Sequence, residues 1–230
     1  MKKDIFKKTA AFTMLELIFV VVVVGILAAV LIPRMGQSRL REAADQIASH
    51  IRYTQHLAMQ DDKYNERDDA NWYKRRWQIV FQDIGKSFRY SVFSDKAGGN
   101  TGNPDISEIA TNPLNPSLLL SGGSSGGLKD GNPRITKSMN IGKEYGITGV
   151  NFGDSCSIKG GGVNSRRIVF DYLGRPLKGD LSSYGNPYSK DGNSRLITQL
   201  CTITLTNNAG ENINITIQPE TGYTSVGSIY

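Results

Sequence analysis

Glu16 is the first residue whose position demands a chemical explanation. Residues 12–32 form a run of 21 in which only Thr13 and Glu16 are distinctly polar. A carboxylate at bilayer depth costs roughly 3 kcal/mol on insertion scales, so such a group needs a cation. No Lys or Arg follows before Arg34, which places the expected partner on another molecule. A second group is the phrase NWYKRRWQ, which interleaves Trp72, Tyr73 and Trp77 with Lys74, Arg75 and Arg76. That combination can hold phosphates and stack bases, but a strand entrance where aromatic rings pack under basic stems is the better reading. Two cysteines, Cys156 and Cys201, lie far apart without CxxC or Cys/His ligand spacing. They exclude a zinc motif and could form one disulfide if the domain lies outside the cytoplasm.

The remaining candidates point away from catalysis. Asp95, Asn100, Asn103 and Asp105 supply oxygens in a glycine-containing stretch, but their spacing is not that of an EF-hand loop, and turn-forming is the better reading. His50 and His56 stand six apart, on different faces of a predicted helix, and read as surface or packing residues. No GxSxG, HExxH or P-loop pattern occurs. The expectation is therefore a non-enzyme with no cofactor and no metal. The formal charge of +6 includes +3 from residues 1–11, and the remainder is too small to identify a partner.

These residues need elements to hold them. Residues 12–33 are long enough, at about 1.5 Å per residue, to cross roughly 30 Å of hydrocarbon as a helix. A secretory signal would have a shorter apolar region ending in small residues, whereas Ala10 and Ala11 precede this run. The lysines before it keep the N-terminus cytoplasmic, with a bias made slight by Arg34, Arg39 and Arg41. Residues 34–60 place Leu40, Ala44, Ile47, Ile51 and Ala58 at helical spacing with charged residues between them, so the helix is expected to continue as an amphipathic one.

Residues 61–230 read as a β-rich globular domain. RWQIVFQ and SFRYSVF, joined by DIGK, predict one hairpin; CTITLT and NINITI, joined by NNAGE, predict another. A short strand is expected at residues 167–172. Residues 95–162, rich in Gly, Asn and Ser, read as a long loop region with short strands near 135–141 and 147–152. The fold class is α+β: a long N-terminal helix on an antiparallel sheet with one face covered.

The basic leader, the small residue before the run and the phrase FTMLELIFVVVVVGILAAVLIP together resemble the N-terminus of type IV pilins and type II secretion pseudopilins. The resemblance implies cleavage between Ala11 and Phe12 by a prepilin peptidase, N-methylation of Phe12, and pairing of Glu16 with the N-terminal amine of a neighbouring subunit. It implies a helix bend at Pro33 and a pilin-like fold. Ala11 departs from the glycine usual before the cut. IVFDYLGRP and the approach to ETGY are similar to the minor pseudopilins typified by the secretion-system H component and to twitching and competence pilins. The implied partners are the peptidase, other pilin or pseudopilin subunits, an inner-membrane assembly platform and membrane lipid. The implied location is the bacterial inner membrane, with a single pass and the domain in the periplasm. The alternative is a DNA-binding minor pilin for DNA uptake, with Lys74, Arg75 and Arg76 as contacts. The C-terminal Gly-Arg-x-Arg phrase of some competence-linked pilins has no counterpart in TGYTSVGSIY.

Overall fold

The computed structural model describes residues 13–63, 71–96, 99, 101–125, 127–158, 166–182, 185 and 194–230, with the backbone alone for residues 29–38. Helix α1 runs from Met14 to Gln60 and is assigned without interruption through Pro33, whose side chain lies outside the described residues. It stops at Asp61, whose N–H donates to the Leu57 carbonyl at 3.0 Å. The amphipathic expectation holds residue by residue. Leu40, Ala43, Ala44, Ile47, Ala48, Ile51 and Ala58 are all buried. The four alanines in this stripe let the helix backbone approach the domain closely, and Ile47 or Ile51 truncated to Ala would cost about 2–5 kcal/mol each.

Two four-stranded antiparallel sheets receive that stripe, where the sequence predicted one. The first has the order β2-β1-β4-β5, with β1 Gln78–Ile84, β2 Ser87–Phe93, β4 Arg167–Phe170 and β5 Pro176–Lys178. The second has the order β3-β6-β7-β8, with β3 Ile147–Phe152, β6 Cys201–Asn207, β7 Asn212–Ile217 and β8 Thr224–Ile229. Both predicted hairpins form. Gly85 and Lys86 turn the first with φ of 63° and 64°, the left-handed pair that a two-residue type I′ connection requires. In the second, Cys201, Ile203 and Leu205 alternate inward opposite Ile213, Ile215 and Ile217. Phe81 stacks on Tyr90 at 5.2 Å and meets Phe152 edge-on at 5.7 Å, which brings the two sheets together under α1.

The first sheet is covered on both faces, not one. Ile79, Phe81, Tyr90 and Val92 face the main core, whereas Val80 and Phe93 face a second cluster with Ile109, Leu119, Leu128 and Ile135. The glycine-rich region is thus a packed layer. Its segments pair along the edge of β2: Val92 N–H donates to the Leu120 carbonyl, and Ala110 N–H to the Val92 carbonyl, both at 2.9 Å. Gly122 is packed tightly in this layer, since a Cβ there would stand 2.5 Å from the Met139 carbonyl oxygen. The strand expected at 135–141 is instead a 3₁₀ turn, Lys137–Met139, followed by the short helix α2, Ile141–Tyr145. The one expected at 147–152 is β3.

A polar clasp fastens α1 across the apolar seam. The fully buried Tyr90 hydroxyl accepts from Gln46 Nε2 at 2.7 Å and lies 2.7 Å from His50 Nδ1, while Gln46 also donates to the Ser138 carbonyl and accepts from the Tyr145 hydroxyl. Burial holds the Tyr90 pKa above its ordinary value and pushes His50 down to about 4 from 6.5. The folded state therefore disfavours the His50 proton. Its contribution is complete above pH 6.5 and is lost as pH falls towards 4, up to about 3 kcal/mol. We expect the stability difference between the wild type and His50→Gln, measured by urea unfolding, to narrow across that interval and stay level above pH 7.

Candidate functional site

Thr13 is the N-cap of α1, in extended backbone, and Glu16 is the third helical residue. Glu16 N–H donates to Thr13 Oγ1 at 3.3 Å, and Thr13 N–H donates back to Glu16 Oε2 at 3.4 Å. This reciprocal capping box satisfies two backbone donors that a helix start otherwise leaves open. The carboxylate also meets the positive end of the helix dipole. The T-x-x-E spacing before an apolar run is a readable sign of this arrangement, and reasoning from membrane cost alone passed over it. Glu16 thus has an intrachain role as well as any intermolecular one. Ala11 and Phe12 lie outside the described residues.

Beyond the cap, the helix through Leu27 is apolar all round, and its large side chains are exposed among the described residues. Large side chains from Met14 to Leu27 range from 37 % exposed at Val23 to 84 % at Met14. A surface of this extent exceeds what monomeric soluble domains leave open and implies a covering phase or partner. Among the described residues no helix is long and apolar enough to cross a membrane; the described side chains of this stretch end at Ala28, four residues short of the end of the apolar run.

The basic phrase holding Lys74, Arg75 and Arg76 is not a solvent-facing stripe. Residues Trp72–Arg75 form a 3₁₀ turn leading into β1. Arg75 and Arg76 are buried, and the Arg76 guanidinium lies 4.8 Å over the Trp72 ring. Lys74 is half-buried with its ammonium 6.0 Å from the Tyr73 ring. Aromatic rings packing on basic stems, the second of the two sequence readings, describes this segment.

Cys156 and Cys201 are joined in a disulfide, with Cα atoms 5.2 Å apart, tying the turn after β3 to the start of β6. His56 is exposed, whereas His50 belongs to the clasp. Among the described residues no group of three His, Cys, Asp or Glu side chains is placed to hold a metal ion. Of the oxygens singled out in the sequence, the Asp95 carboxylate serves the fold, and Asp105 takes part through its backbone. Asp95 Oδ1 accepts from Gly102 N–H at 3.2 Å, and Asp105 N–H donates to Glu108 Oε2 at 3.1 Å.

Asp95 is part of a buried ionic network that no local motif announces. Arg167 of β4, fully buried, donates to Gln78 Oε1 at 2.8 Å and lies 3.5 Å from Asp180 Oδ1; Gln78 Nε2 reaches Asp95 Oδ2 at 3.4 Å. Burial, then repulsion from Glu108, raises the Asp95 pKa to about 7, against opposing effects of the Gly102 N–H and Arg167. Burial likewise lowers Arg167, and Asp180 and Asp95 act in the opposite direction. Because the folded state favours protonated Asp95, its contribution is present below about pH 4 and is lost as pH rises through 7. Asp95→Asn is expected to raise the melting temperature at pH 8, an effect of up to about 4 kcal/mol. Scanning calorimetry should show that gain shrinking steadily towards pH 4.

No family model matches the chain, and neither a curated protein nor a solved structure matches it.

Proposed function

We propose that the chain is a minor pilin or pseudopilin subunit. Its N-terminal helix packs into a filament rooted in the inner membrane and serving type II secretion or type IV pilus biogenesis. One observation carries the reading: a helix whose first two turns present a capped carboxylate on an otherwise exposed apolar surface, and whose later turns belong to a folded α+β domain. The apolar half requires lipid or neighbouring helices, and the carboxylate gives that packing a fixed register.

In this reading a prepilin peptidase cuts between Ala11 and Phe12, and the new amino group, N-methylated, starts one residue before the N-cap. Glu16 then serves two functions. It closes its own helix start and offers a negative charge to the ammonium of a neighbouring subunit during assembly. The span at residues 12–33 sits in the membrane with its N-terminus cytoplasmic, Pro33 marks its outer end, and the domain carrying the disulfide lies in the oxidising periplasm. The assembly platform and other pilin-like subunits are its partners.

Two measurements test this reading. The intact mass and N-terminal sequence of the protein from its native membranes should show a chain beginning at N-methylated Phe12; an intact Met1 would remove the amine on which the pairing depends. Gln is a competent third residue of a capping box, so Glu16→Gln should keep the helix start and membrane insertion. It should nonetheless lower co-assembly with wild-type subunits, read by crosslinking, by about tenfold or more, the equivalent of losing at least about 1.4 kcal/mol. Assembly unchanged in Glu16→Gln but lost in Glu16→Leu would reduce the residue to a cap.

A further inference from the structure

Both tryptophans of the chain border one recess at the outer end of α1. Asp61 caps that end, and its Oδ2 accepts from Trp77 Nε1–H at 2.9 Å. Lys63 forms an ion pair with the same oxygen, and its ammonium lies 5.6 Å from the Trp77 ring centroid. Trp72 with the Arg76 guanidinium over its ring, Ala58, Asp62, Phe170 at the end of β4 and Tyr172 complete the wall. With Lys63 in place the free space is about 10 Å³, room for roughly one water.

We propose that this recess is a binding site for a lysine side chain of another polypeptide, and that Lys63 occupies it as an internal substitute. An ammonium bound between an aromatic face and a carboxylate exchanges water for the ring quadrupole and a point charge, the combination that suits cation recognition. The carboxylate is held in place independently of its guest, because the Trp77 indole keeps its hydrogen bond to Asp61 when Lys63 swings away. The half-exposed Tyr172 ring at the rim offers apolar surface to the methylene stem of an incoming lysine. Displacement costs little. The Lys63 and Asp61 side chains are 25 % and 44 % exposed, so their ion pair is of the screened kind that contributes less than about 1 kcal/mol. A lysine delivered with any further contact between the two chains outcompetes it.

The two tryptophans make the site directly observable, since they account for all the indole fluorescence of the chain. Full-length Lys63→Ala protein in a non-ionic detergent is titrated with Nα-acetyl-lysine amide at constant ionic strength. A saturable change in emission is expected, with half-saturation at a concentration severalfold lower than for the wild type, up to about fivefold. Asp61→Asn, which keeps an acceptor for the Trp77 N–H, should abolish saturation. Lys63→Met, which refills the recess with an uncharged stem, should respond like the wild type or less. An equal response of Lys63→Ala to Nα-acetyl-norleucine amide would make the recess an apolar pocket and overturn the proposal. So would the absence of any saturable response in Lys63→Ala. The outcome is independent of whether the chain assembles into filaments.

Discussion

The fold depends on how one helix face is seated on two sheets. Neither sheet alone buries its inner face: the main core takes side chains from β1, β2 and β4 of one and β3, β6 and β7 of the other, and the stripe from Leu40 to Ala58 closes it. Apolar burial supplies the driving force, but it is non-directional and would tolerate the helix sliding or rolling. The Tyr90 clasp supplies direction. With Tyr90, Gln46 and His50 desolvated together, any displacement of α1 leaves buried polar atoms without partners, at about 1–3 kcal/mol each. Arg52 on the Thr224 carbonyl and Arg41 on the Gly227 carbonyl fix the same helix to β8 from its exposed flank.

Two buried groups respond to acid in opposite senses. His50 resists its proton and Asp95 retains one, so between about pH 4 and 6.5 one contribution falls as the other grows. They act on different parts of the domain: His50 on the helix-to-sheet seam, Asp95 on the layer over the far face of β1 and β2.

The helix stripe and the two hairpins were legible because their periodicities, 3.6 and 2, persist long enough to stand above noise. The second layer was not. Its apolar residues, Ile109, Leu119, Leu128 and Ile135, are separated by Gly, Pro and Asn turns, and each reaches the core singly instead of along a strand. The strand β5 is three residues long, and β8, reading TSVGSI, carries no alternation because it lies at the edge of its sheet. Basic side chains default to the surface in any sequence reading, which is why buried Arg167 was unforeseen. Lys63 and Trp77 meet through the tertiary fold, and nothing in their local spacing brings them together. The capping box was fully visible as Thr13 and Glu16, and was obscured only by the more conspicuous cost of an acid in an apolar run.

The Cys156–Cys201 bond, with a sequence separation of 45, closes a ring of chain that contains β4 and β5, two strands of the sheet opposite to the one it anchors. In chain-entropy terms a loop of that length contributes about 4 kcal/mol by limiting the unfolded state. It also makes the middle of the domain indifferent to a single clip. A protease that cuts between the two cysteines opens the ring without dividing the molecule, so both halves of the domain stay tethered to α1 while the bond remains oxidised.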